Sequence, residues 1–256
     1  MNRTLNEIGN KLKQAGRLNS QPLCIYGTDS PPTTVISSTK LNRCIARAIF
    51  TIASDSTHSS VFISAKDKEH CCPGGQAWLG FQPFMPFLKH FLSSGSPDFR
   101  NGSAEYLISD PELVERRLEA IGKITPLDEF IIISRSDQIV EENHEIKAFL
   151  CFGNAEQIRN LSSLFYFHSE KSNGIQIPWG PSCASFITYP SGMITIDKQT
   201  NIILGPTDPT GNFWFPQDFM SIGIPYDIAR QMAEDLDSSF IKKRPKFAYP
   251  HEKYEI

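Results

Sequence analysis

Phe149-Leu150-Cys151-Phe152-Gly153-Asn154 decides how the rest of the chain is read. With Lys147 and Ala148 before it, this apolar run has the length and composition of a buried strand. Gly153 lets the chain turn, and Asn154 is a natural helix N-cap because its side-chain oxygen can accept an N–H from the first helical turn. Helical periodicity then continues to about residue 167. The unit is a strand, a tight turn and a helix.

A second stretch, Leu23-Cys24-Ile25-Tyr26-Gly27, echoes the first: an apolar strand ending in an aromatic residue and a glycine. Each is followed, in its half, by a helix, another strand and a Pro-containing cysteine segment. Two similar halves, residues 20–125 and 126–240, are one reading; chance likeness between short apolar strands is the other.

Working outward, residues 60–65, 129–134, 192–196, 201–204 and 219–224 read as further strands. Leu5, Ile8 and Leu12 share one helical face near the N-terminus, and Leu41, Ile45, Ala48 and Ile52 recur at helical spacing. Cys44 lies one position from that stripe and is expected to point inward. Asp110-Pro111 starts a helix carrying Leu113, Val114, Leu118 and Ile121 on its apolar side, with Asp as N-cap and Pro at the first position. Pro225 opens a last amphipathic helix using Ile228, Met232, Leu236 and Phe240. Between residues 76 and 91 the chain carries Trp78, Phe81, Phe84, Phe87 and Phe91, but Pro83 and Pro86 break any single helix. Strands and helices mix without strict βαβ alternation. The expected fold is α+β, a mixed sheet with helices packed on it, forming one domain over residues 1–256 with a C-terminal tail at 241–256.

With 256 residues, 40% apolar and 21% charged, and a formal net charge of −3, the chain is an ordinary globular one and lacks the basic excess of a nucleic-acid binder. Lys242, Lys243, Arg244 and Lys246 form a basic cluster in the tail, read as a solvated or docking extension. The N-terminal segment lacks the apolar core of a signal peptide, and no stretch has the ~20 apolar residues of a membrane span. The expected location is cytoplasmic, with no nucleic-acid or membrane partner; a homo-oligomer stays open. In that setting six cysteines are reduced core residues, metal ligands or reactive thiols.

Chemistry concentrates at His70-Cys71-Cys72-Pro73-Gly74-Gly75. Pro73 fixes the backbone after Cys72, and Gly74-Gly75 lets N–H groups approach its sulfur. A helix start there would favour a thiolate, able to act as nucleophile or to ligate iron or zinc. The packing alternative treats Cys71 and Cys72 as small hydrophobes. Cys183, in Gly180-Pro181-Ser182-Cys183, likewise precedes a short helix. No C-x-x-C pair is present, so a metal site would have to be assembled from Cys44, Cys72 and Cys183 with Cys71 or His70 as fourth ligand. Cys24 and Cys151 read as core residues of strands. Common phosphate-loop, dinucleotide, zinc-protease, esterase and calcium-loop motifs are absent. The turn-rich stretch 205–212 reads as turn chemistry, and the aromatic run 78–91 as core or as the wall of a pocket for a planar cofactor or apolar substrate.

Cys72-Pro73-Gly74-Gly75-Gln76-Ala77-Trp78-Leu79-Gly80 resembles the C-x-G-G-x-x-x-L-G segment of the DUF169 family of archaeal and anaerobic bacterial proteins. The resemblance extends to Asn42-Arg43-Cys44, to Gly180 through Cys183, and to Met220-Ser221-Ile222-Gly223-Ile224-Pro225, covering most of the chain. It implies that Cys44, Cys72 and Cys183 belong to family segments, with Gly74 and Gly75 beside them. The leading expectation is a redox-related protein binding an iron–sulfur cluster or other metal through these cysteines, with a redox partner or small molecule. A thiol enzyme with Cys72 as nucleophile, or a non-enzymatic small-molecule binder with structural cysteines, are the alternatives.

Overall fold

The computed structural model describes residues 2–30, 32–55, 57–66, 71–138, 144–209, 211 and 213–249, with residues 2–4 by backbone alone. In chain order the elements are α1 (Asn2–Gly16), β1 (Leu23–Thr28), β2 (Ile36–Ser37), α2 (Ser38–Leu41), α3 (Ile45–Ser54), β3 (Ser60–Ser64), α4 (Pro73–Trp78), α5 (Leu88–Leu92) and α6 (Pro111–Ile121). There follow β4 (Phe130–Arg135), β5 (Ile146–Asn154), α7 (Ala155–Tyr166), β6 (Ile175–Gln176), a π-helical turn (Ala184–Thr188), β7 (Ile202–Gly205), β8 (Phe219–Pro225), α8 (Tyr226–Asp235), α9 (Phe240–Lys243) and α10 (Pro245–Ala248). The fold is α+β.

All eight strands join one mixed sheet in the order β2-β3-β4-β1-β5-β8-β7-β6. The inner pairs are antiparallel, and each edge is a short parallel pair, β2 with β3 and β6 with β7. Read from the centre outward, β1-β4-β3-β2 and β5-β8-β7-β6 follow the same path. The two echoing stretches are β1 and β5, neighbours at the middle of the sheet, with Leu23 opposite Leu150 and Cys24 opposite Phe149. In the sheet β4 sits with the strands of residues 23–64, across the 125/126 division. Parallel neighbours need a crossover, and each edge has one: α2 and α3 lie between β2 and β3, the π-helical turn between β6 and β7.

Alternation along the strands divides the core into two layers. Cys24, Tyr26, Phe149, Cys151, Ile222 and Ile224 face α1, α7 and α8. Leu23, Ile25, Ile131, Ile133, Leu150 and Phe152 face α3, α4 and the π-helical turn. Helix α7 starts as expected: Asn154 Oδ1 accepts the Gln157 N–H at 3.1 Å while Gln157 Oε1 accepts the Asn154 N–H at 2.9 Å, a reciprocal cap. Asp110 caps α6 with a one-way bond, accepting the Leu113 N–H at 2.7 Å.

The expected strand at 192–196 does not form; Ile196 makes only an isolated bridge with Gln199. Positive φ at Gly192 (76°), Asp197 (52°) and Lys198 (55°) winds this segment into turns instead of a ladder. Part of the expected tail folds back: α9 and α10 lead to Tyr249, whose hydroxyl donates to the Ala15 carbonyl at 2.7 Å while Arg17 lies over its ring at 4.5 Å. No helix of the described residues is long and apolar enough to cross a membrane.

Candidate functional site

Three helix starts converge on one end of the sheet layer that holds α3 and α4, and each carries a cysteine. Cys44 is the N-cap of α3, Cys72 the N-cap of α4 and Cys183 the N-cap of the π-helical turn. Cys44 thus packs against the core as expected, but from a helix start and not from inside a continuous helix, as the periodicity suggested. The backbone is extended at Asn42 and Cys44, separating α2 from α3, and the Asn42 side chain accepts the Cys44 N–H at 2.9 Å. Cys44 is half-buried, and Cys71 and Cys183 are buried. The thiols of Cys44, Cys72 and Cys183 interact electrostatically with one another, and Cys71 with all three. Cys24 and Cys151 pack in the opposite core layer, placed there by strand alternation. His70 lies outside the described residues.

Cys72 differs from its neighbours. It is exposed, and its sulfur accepts the Gly75 N–H at 3.3 Å. Donation from the Cys71 thiol, helped by that N–H, pulls its pKa down to about 6 against the opposing effect of burial. Cys71 is driven up by the same hydrogen bond and by burial. Burial, and then the neighbouring sulfurs, also raise Cys183; burial raises Cys44. The four thiols are thus pushed apart, Cys72 toward the thiolate and Cys44, Cys71 and Cys183 toward the protonated form.

The two glycines have different roles. A Cβ at Gly75 would stand 3.1 Å from Cys72 Sγ and 3.3 Å from Cys71 Sγ, so the pair of sulfurs wraps this residue. A Cβ at Gly74 would meet nothing within 4 Å.

Cys44, Cys72 and Cys183 line a cavity of about 470 Å³ together with Gly74 and Gly75. Its other walls are largely apolar: Trp78, Met85, Phe87, Leu88, Phe91, Leu92, Phe99, Leu107 and Trp179, with Arg100 and Asp208 as charged groups. The aromatic run is therefore divided. Trp78, Phe87 and Phe91 face the cavity, whereas Phe81 and Phe84 pack against the core and Phe84 meets Trp78 edge-on at 5.3 Å. The π-helical turn braces both tryptophans: Thr188 Oγ1 donates to the Trp78 carbonyl at 2.7 Å, and the Tyr189 hydroxyl to the Trp179 carbonyl at 2.9 Å. π-Helical turns are rare and frequent at functional sites.

Among the described residues no group of three or more His, Cys, Asp or Glu side chains is arranged to hold a metal ion. His58 and His144 border a separate cavity of about 440 Å³ that shares no lining residue with the first. Sequence reasoning missed Phe99, Arg100, Leu107 and Asp208. Phe99, Leu107 and Asp208 lie on loops and Arg100 on a single 3-10 turn (Arg100–Gly102), none with a periodicity, and only the nearby aromatic run hinted at a wall there.

An α+β sheet whose helix starts bring cysteines to an apolar cavity defines the class of protein. Residues 11–235 match the model of the DUF169 family, described as uncharacterised ArCR, and the chain belongs to that family. No curated protein and no solved structure matches it.

Proposed function

We propose that the chain binds a small, largely apolar molecule in the cysteine-lined cavity and acts on it through the Cys72 thiolate. The observation carrying this reading is the position of Cys72: an exposed residue on the wall of an apolar cavity, its sulfur held by the Gly75 N–H and its neighbouring thiol. Thiolate rather than thiol is the nucleophilic form. Cys71 serves as the hydrogen-bond donor that keeps the negative charge on Cys72, and Cys44 and Cys183 complete the polar end of the pocket. A volume near 470 Å³ falls within the range of small-molecule sites, which are mostly apolar with a few placed polar groups.

Iodoacetamide labelling followed by peptide mass spectrometry tests this reading. Cys72 should be alkylated first among the six cysteines, with a rate midpoint near pH 6. Labelling of Cys72 no faster than an unperturbed thiol would overturn it. Stoichiometric iron or zinc in anaerobically purified protein, lost in Cys72→Ser, would replace it with a metal centre.

A further inference from the structure

Resting on the reading of this cavity as a ligand site, we infer that its ligand is an aromatic or otherwise planar apolar anion and that Arg100 recognises its anionic group. Arg100 lines the cavity, and its guanidinium is held over two wall residues, 5.2 Å from the Phe91 ring centroid and 5.3 Å from that of Phe99. Those contacts fix the direction of a long side chain that solvent would otherwise leave free. Arg100 makes no salt bridge among the described residues. Asp208, the other charged lining group, accepts the Gly211 N–H at 3.3 Å.

The backbone reinforces the placement. Arg100 (φ 47°) and Asn101 (φ 54°) are consecutive non-glycine residues in the left-handed region, followed by Gly102 (φ 82°). That conformation disfavours side-chain-bearing residues and persists only where the surroundings impose it. Here it is closed by the Gly102 N–H on the Phe99 carbonyl at 3.0 Å and the Ser103 N–H on the Arg100 carbonyl at 3.1 Å. The result presents a cation against aromatic walls. A planar guanidinium pairs in bidentate fashion with a carboxylate or similar oxyanion, while the rings bury the apolar body of the same molecule.

Isothermal titration of the full chain with 2-naphthoate and its neutral isostere 2-naphthamide tests the inference. The anion should bind at least about tenfold more tightly, the effect of one charge-assisted hydrogen-bonded contact. Arg100→Gln should abolish that preference, bringing the affinity for 2-naphthoate down to that for 2-naphthamide. Cys72→Ser should keep the preference, which separates this inference from the thiolate reading: loss of Cys72 reactivity would sink only the latter. Equal affinity for the two probes, a preference surviving Arg100→Gln, or no binding of either probe would overturn the proposal.

Discussion

At the residue scale, adjacent cysteines have opposite fates because one hydrogen bond joins them. Cys71 donates and Cys72 accepts, so a proton retained by one favours its loss from the other. The glycine pair supplies a control. Gly75→Ala places a methyl group against both sulfurs and disturbs the N–H that Cys72 accepts. Losing a hydrogen bond to a charged group corresponds to roughly one pH unit or more. The midpoint of Cys72 alkylation in Gly75→Ala should therefore rise by about that amount. Gly74→Ala adds its methyl group where nothing lies within 4 Å, so it should leave the midpoint unchanged. Identical alkylation profiles for the two variants would mean that the Gly75 N–H does not hold the charge.

At the element scale, the crossovers of the two parallel edges deliver Cys44 and Cys183, and a third short helix delivers Cys72. The π-helical turn depends on a close approach to β7, where a Cβ at Gly205 would overlap the Ser185 side chain. Gly205→Ala should lose about 1–3 kcal/mol of stability, as overpacked sites do, measured by denaturant unfolding. Ser185→Gly in the same chain should recover part of that loss, because it removes the colliding atoms, and the buried Ser185 hydroxyl has no partner to forfeit. Non-additivity of this pair is the readout. The sequence made the caps at Asp110 and Asn154 and the central strands legible, since local chemistry and periodicity specify them. It did not reveal the two-residue strands β2 and β6, which are too short to show a period. The helix start at Cys44 was missed for a related reason: an apolar stripe continued across the break that Asn42 creates by accepting the Cys44 N–H. Arg100 was invisible because its importance rests on a positive φ and on rings that come together only in three dimensions.

At the scale of the whole molecule, the strand order brings both crossovers onto one face of the sheet, so folding itself assembles the cysteine cluster and ties its ionisation to stability. In the folded chain Cys72 releases its proton near pH 6; unfolded, it would do so near 9.0. Between those values the unfolded state binds more protons, so stability should rise with pH. Below pH 6 both states are protonated and the contribution is gone, whereas above 9.0 it is fully present. The raised thiols Cys24, Cys44, Cys71, Cys151 and Cys183 keep their protons in the folded chain and begin to ionise in the unfolded one only as pH approaches 9.0, so their opposing effect enters at the top of that window. Thermal melts of the native chain and of Cys72→Ser isolate the effect, because every carboxylate and histidine contributes to both. The difference in melting temperature, native minus variant, should grow steadily from pH 6 to 9. A difference that stays flat across the window would mean that Cys72 ionises in the folded chain as it does in the unfolded one, leaving the cluster as packing alone.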